Sequence, residues 1–411
     1  MKSEILHRVL TRCIAPLHIL SRHQTPKSVA LILAHLLLVA AVGGAQIAVA
    51  NDGSRVLRVT NNGADSTTCG AKGHPCRSIS QAIANASDGD TVEVGVGRYG
   101  DLNVDGDFDD PGDEHADLAQ GCIVCVTKAV RIVSLHGARV TTIVGTADKP
   151  SIEAVVGILA PRVTFGDIDH GFTVTLGQNG VLVRNVDHVR IRGNTAVSNR
   201  FDGFHAELAD DLLFEENTAV NNQQGFALTG CNPHLCTART RATARRNYAF
   251  SNISVGFNII DMYMAVTDNV LNSNGDLAVF MVGASLFRGN TMTANGGGVE
   301  IIFDDGPSGG GTFIRNTVVG NIGAGFYFSN DTVSELHENN IYGNDERVGL
   351  TDEGGGTYIN CGVWNDQDEP VSEANNFWGS PLGPGPNPGD QTCLGGAIDS
   401  PAATAPFPIT R

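Results

Sequence analysis

Seven pairs of asparagines, each pair five residues apart, recur in one frame from residue 194 onward: Asn194/Asn199, Asn217/Asn222, Asn247/Asn252, Asn269/Asn274, Asn290/Asn295, Asn316/Asn321 and Asn339/Asn344. The frame advances six times, a mean of roughly 24 residues per step, and its longest step holds the insertion Cys231 to Cys236. After most pairs comes a small residue and then an apolar alternation, as in Gly203-Phe204-His205-Ala206-Glu207, Gly256-Phe257-Asn258-Ile259 and Gly325-Phe326-Tyr327-Phe328. That alternation is the period-two signature of a short strand.

Few folds accommodate such a repeat. Leucine-rich repeats need Leu-x-x-Leu-x-Leu, and propeller blades need about 40 residues. A coil that climbs one strand spacing, ~4.8 Å, per turn fits, because each strand then pairs in parallel with its equivalents above and below. Asparagine is expected to take left-handed backbone angles at the corners and to stack in amide ladders. Composition agrees: 50 glycines in 411 residues supply turns, and 6% aromatics leave a core of mostly small aliphatic side chains.

On these repeats the chain resembles the right-handed parallel β-helix proteins of the pectin-lyase-like superfamily. The resemblance extends over nearly all of the chain after residue 50. Cys76-Arg-Ser-Ile-Ser-Gln-Ala-Ile-Ala-Asn-Ala reads as a capped helix, with Ser78 and Gln81 as a capping box and Ile79, Ala82, Ile83 and Ala86 on one face that plugs the end of the coil. Asn375-Asn-Phe-Trp-Gly-Ser-Pro381 resembles the tail after the last coil, and the prolines from Pro381 to Pro408 are expected to end strand pairing. The expected fold is all-β, a single-stranded right-handed parallel β-helix solenoid with a short N-terminal capping helix. Its expected organisation is an export signal at 1–50, a cap and first coils at 51–150, repeats at 151–371 and a Pro/Gly-rich tail at 372–411.

Residues 1–50 hold an apolar run, Val29 to Val42, too short for the ~20 residues of a membrane span, followed by Ala48-Val49-Ala50. Cleavage after Ala50 is expected. The product would be secreted, periplasmic or at the cell surface, with no transmembrane segment. With five basic residues and one acidic residue in 1–50 set aside, 22 basic and 43 acidic residues remain, a formal charge of −21. This argues against nucleic acid as a partner. A monomer is expected.

Cys13 lies within the signal, and the other eight cysteines are Cys69, Cys76, Cys122, Cys125, Cys231, Cys236, Cys361 and Cys393. An even number in an exported chain implies disulfides. Cys122 and Cys125 are three apart, which in a strand places them on opposite faces, so each is expected to pair elsewhere, with Cys69 or Cys76 as candidates.

From Asp101 to Asp113 oxygen donors recur at alternate residues: Asp101, Asn103, Asp105, Asp107 and Asp109, with Gly106 at the turn. This resembles calcium loops of the EF-hand kind and makes those five residues a candidate Ca2+ site. Gly112 stands where the EF-hand has its twelfth-position carboxylate, for which Asp110, Asp113 and Glu114 are substitutes.

The superfamily's catalytic motifs are matched poorly. Ile168-Asp169-His170 lacks its basic partner motif, and Asn232-Pro233-His234-Leu235 lacks both carboxylates of the mannuronan epimerase signature. Alternation instead places His205, Glu207, Asn258, Glu300 and Tyr327 outward. The candidate catalytic residues are His205, Glu207, Glu300 and Asp304, and the candidate substrate-binding residues are Asp202, Asn258 and Tyr327. His205 and Glu300 are four coils apart, about 19 Å, and so form two patches along a groove. The expected function is binding or processing of an extracellular polysaccharide by lyase or hydrolase chemistry. The alternative is a non-catalytic surface scaffold. The outward column is poor in Lys and Arg, which weakens the lyase reading.

Overall fold

The computed structural model describes residues 53–409, apart from 147, 232–239, 303–309, 330–333, 346–348, 353–354, 369, 386–388 and 400. The expected export signal with its expected cleavage site, Cys236 and Asp304 therefore lie outside the described residues.

The chain winds through three long sheets in rotation. Thirteen strands, from Val56–Val59 to Ala397–Asp399, form the first sheet; ten, from Gly97–Gly100 to Asn340–Tyr342, the second; and eleven, from Cys122–Val126 to Gln391–Leu394, the third. Neighbours within each are parallel and in step, as in Phe204↔Phe226↔Phe257↔Val279↔Val299↔Phe326 across the third sheet. The molecule is a parallel β-helix. Its interior is one continuous apolar core, in which Phe226 stacks on Phe204 at 4.8 Å and on Phe257 at 4.4 Å between ring centroids.

Both asparagine columns run inside. Asn247 Nδ2 donates to Phe214 O at 2.9 Å and to Asn269 Oδ1 at 3.0 Å, while its own Oδ1 accepts from the backbone and side chain of Asn217. The first column continues through Asn339 to Asn376, and the second ends at Asp390, whose carboxylate accepts from Gly343 N and from both nitrogens of Asn344. The left-handed corners belong to the preceding residues instead: Ser198, Glu216, Arg246, Ser273 and Ala294 have φ of 54–55°, and the ladder asparagines are not left-handed. Bending the chain there costs ~1–2 kcal/mol per non-glycine residue. Each asparagine behind the bend offsets this with several buried hydrogen bonds, each worth ~1 kcal/mol net.

The helix α1, Ile79–Asn85, buries Ile79, Ala82 and Ile83 against the first coils. Only half of the expected capping box forms. Ser78 Oγ accepts from Gln81 N, but Gln81 reaches Asn85, and Asp65 takes the Ser78 N–H. Glu114 completes the cap, its oxygens accepting from Ile79 N, Ser80 N and Ser80 Oγ at 2.7–2.8 Å. Strand pairing also continues past the prolines, since Gln391–Leu394 and Ala397–Asp399 extend the third and first sheets.

Cys69 pairs with Cys76 and Cys361 with Cys393. Cys231 is also in a disulfide. Cys122 and Cys125 pair with each other, contrary to expectation. Gly157 is the reason: it is the register partner of Cys125 on the next coil, and a Cβ there would lie 2.6 Å from Cys122 Sγ. The absent side chain lets Cys122 fold onto the same face as Cys125. No helix among the described residues is long and apolar enough to cross a membrane.

Candidate functional site

The third sheet places the alternation as the sequence predicts. Phe204, Ala206, Phe226, Phe257, Ile259, Val299, Phe326 and Phe328 are buried, while His205, Glu207, Asn258, Glu300 and Tyr327 stand half-buried on the outer face. Register aligns His205, Ala227, Asn258, Phe280, Glu300, Tyr327 and Trp364 in one outward column.

Around His205 the side chains converge. Nδ1 of His205 lies 2.7 Å from Asp202 Oδ2, and Nε2 lies 3.7 Å from Glu207 Oε2. Asp202 is buried at the start of the strand Asp202–Glu207, its N–H donating to Asn179 Oδ1. Glu207 pairs in register with Arg184 on the preceding coil, and the guanidinium bridges Glu207 and Glu153, the latter at 2.6 Å. The two carboxylates raise the Arg184 pKa against the opposing effect of its burial. Asp202, His205, Glu207, Arg184 and Glu153 thus form one chain of acids and bases across three coils.

Arg184 and Glu153 escaped the sequence reading. The asparagine frame begins at Asn194, and the coil before it has Phe172 and Gly177 in the ladder positions, where backbone N–H groups bond Asn194 and Asn199. The signal was present in Val181-Leu-Val-Arg184, whose last residue matches Glu207 in the alternation. The outer face therefore does carry a basic side chain at this site.

Four coils away, Glu300 and Tyr327 are register partners. Tyr327 donates to Asp366 Oδ2 at 3.0 Å; burial, then Asp366, pushes its phenol up to about 12. Burial raises the Glu300 carboxyl, which has no hydrogen bond or ion pair among the described residues. Trp364 sits behind Tyr327, with Tyr358 edge-on to it at 5.6 Å, delivered by the small hairpin of Leu350–Thr351 and Thr357–Tyr358. Between the patches, Asn258 Nδ2 donates to Gln224 Oε1, and its buried Oδ1 has no hydrogen-bond partner among the described residues.

The acidic loop is differently arranged from the predicted ligand set. Asp101 is buried and spends its oxygens on Val104 N and Gly106 N. Asp105, Asp107 and Asp110 bring oxygens within 4.8 Å of one another, without Asp109. Asn103 Nδ2 donates to Asp105 and Asp110. His170 of the Ile168-Asp169-His170 tripeptide lies elsewhere, with Nδ1 on Ser134 O at 3.0 Å.

No protein-family model matches the chain, and no curated protein matches it. Among solved structures it is similar to pectate lyase Pel9A, at 12% identity and TM-score 0.46 over 85% of this chain and 80% of that one. It is similar to alginate lyase from Paenibacillus sp. str. FPU-7, at 12% identity and TM-score 0.46 over 85% and 99%. The A-module of Azotobacter vinelandii mannuronan C-5 epimerase AlgE4 matches at 15% identity and TM-score 0.35 over 70% and 86%. At such identities no residue role transfers.

Proposed function

We propose that the outer face of the third sheet binds an extended polysaccharide and that His205 performs proton transfer on it. The observation that carries this reading is one half-exposed histidine held between Asp202 and Glu207, with Arg184 paired to Glu207. Asp202 accepts Nδ1–H and fixes the ring, which leaves Nε2 facing Glu207 and the groove. In that tautomer Nε2 is a base, able to take a ring proton in elimination or to activate water in hydrolysis. Arg184 pairs with Glu207 beside it. Protonated Nε2 would then return the proton to the leaving oxygen.

The second patch supports an extended ligand. Tyr327, Glu300 and Asp366 offer hydroxyl and carboxyl groups, the usual partners of sugar hydroxyls, some four coils further along the same face. Secretion as a calcium-bearing monomer completes the proposal. A panel of neutral and acidic polysaccharides, screened by titration calorimetry against the parent and a His205→Ala/Tyr327→Ala double variant, tests it. Binding by the parent and at least about ten-fold weaker binding by the variant is the expected result. If none of the glycans binds, the surface-scaffold reading replaces this one.

A further inference from the structure

The eleven strands of the third sheet carry four carboxylates, Asp202, Glu207, Glu300 and Asp366, and one arginine, Arg184, with no lysine. Glu153, directly before the strand Ala154–Ile158, adds a fifth carboxylate. Arg184 is already engaged, because its guanidinium bridges Glu207 and Glu153. His205 is engaged as well, between Asp202 and Glu207. Among the described residues of these strands, no cationic side chain is therefore without carboxylate partners. Arg200, at the corner before the strand Asp202–Glu207, lies over the Phe201 ring at 5.6 Å.

Between the two patches the floor of this face is uncharged and largely apolar. The register column from His205 reaches Glu300 through Ala227, Asn258 and Phe280. Beside it, the column from Glu207 runs through Thr229, Ile260 and Val282 to Ile302. Ile260, Phe280, Val282 and Ile302 alternate with buried neighbours and stand half-buried on the outer side. From His205 to Trp364 the first column takes six steps. At ~4.8 Å per coil this is about 29 Å, room for several sugar units. An apolar and aromatic lining with a few fixed polar groups suits a sugar ring, which has apolar C–H faces and hydroxyls at its rim.

We propose that the polysaccharide taken by this face is neutral, its C–H faces lying on Phe280 and Ile260 and its hydroxyls donating to the carboxylates at either end. The proposal rests on the reading that the outer face of the third sheet binds an extended polysaccharide, and it names the class of polymer. A uronate polymer carries a carboxylate on each sugar and would run past Asp202, Glu207, Glu300 and Asp366 with no uncommitted cation in the strands to meet it. Like charges that close repel, and salt screens them poorly in a half-buried groove. Neutral hydroxyls meet the same carboxylates as hydrogen-bond donors to charged acceptors, a favourable pairing.

The test is titration calorimetry of the full chain against polygalacturonate and its fully methyl-esterified form, which share a backbone and differ in charge. A glucomannan and alginate serve as a second neutral and a second acidic probe, and every titration is run in EDTA and in CaCl2. The best neutral polymer should bind at least about ten-fold more tightly than either acidic one in both buffers. Glu300→Gln should narrow that gap by raising the acidic affinity. Phe280→Ala, which removes a half-exposed side chain, should weaken neutral binding at least about ten-fold with the fold intact by circular dichroism. Acidic binding as tight as neutral binding in either buffer, or parental neutral affinity in Phe280→Ala, would overturn the proposal and leave the polysaccharide reading standing. Failure of all four polymers to bind would overturn both.

Discussion

His205 Nδ1 sits 2.7 Å from the Oδ2 of Asp202, a residue three positions earlier whose carboxylate is almost wholly buried. Strand alternation alone would not bring them together, since residues three apart face opposite ways. Asp202 escapes that rule because it begins its strand, where Gly203 separates it from the regular alternation. The consequence is that His205 is flanked by two carboxylates of its own strand, Asp202 at Nδ1 and Glu207 near Nε2.

In the proposed reaction Asp202 is a positioning residue. Asp202→Asn should keep KM for the glycan while lowering kcat at least about ten-fold, because a neutral amide holds the Nδ1–H less firmly than a carboxylate does. Steady-state kinetics checks this, and an unchanged kcat would assign Asp202 a purely structural role.

The ladder should tolerate loss at its interior less well than loss at its end. Asn269 accepts from Asn247 N and Nδ2 and donates to Ala244 O and Asn290 Oδ1. Asn269→Ala strands several of these buried groups, at about 1–3 kcal/mol each. Asp390→Asn retains one acceptor oxygen and should cost less. Denaturant unfolding of the two variants gives the comparison.

Phe257 is fully buried and stacked on Phe226. Phe257→Ala should cost about 3–5 kcal/mol as a core cavity. Glu207→Gln, on the outer face of the same sheet, loses only a half-buried pair with Arg184 and should cost about 1 kcal/mol or less of unfolding free energy.

Two glutamates should give stability opposite pH dependences. Burial of Glu215 opposes its ionisation, but Arg245, Arg192 and Arg246 outweigh it and hold the carboxyl below the ordinary range. Its folded pKa lies below its unfolded one, so its contribution is full above ~4.3 and is lost as pH falls through the folded value. Burial raises Glu300, so its contribution is present at low pH and lost as pH rises through the folded value. Glu215→Gln should flatten the acid limb of the stability curve, whereas Glu300→Gln should leave stability unchanged at pH 4 and increase it at pH 8.

The fold was legible because one chemical requirement repeats. From Asn194 to Asn344 each coil carries a buried amide at the same two corners, where the Asn side chain both donates and accepts along the column. The inward face of the third sheet was equally legible from the Phe alternation. The site was legible only in part. His205, Glu207, Glu300 and Tyr327 follow from the strand period, but Arg184 and Glu153 come from coils in which Gly177 and backbone N–H groups replace asparagine, so the frame misses them. The Cys122–Cys125 pair was hidden for a related reason, since it depends on Gly157 one coil away. Some left-handed corner residues, among them Glu216 and Arg246, carry no preference of their own and are imposed by the ladder behind them, whereas Gly193, Gly289, Gly320 and Gly343 at equivalent corners suit the bend.

The most direct test of the central claim is turnover of a bound polysaccharide by the parent and by His205→Ala, following both new reducing ends and the ultraviolet absorbance of unsaturated products. The parent should yield one of these signals, and the variant should lose it by at least about 100-fold while its unfolding midpoint stays at the parental value. A His205→Ala protein that processes the same polysaccharide at the parental rate would contradict the account.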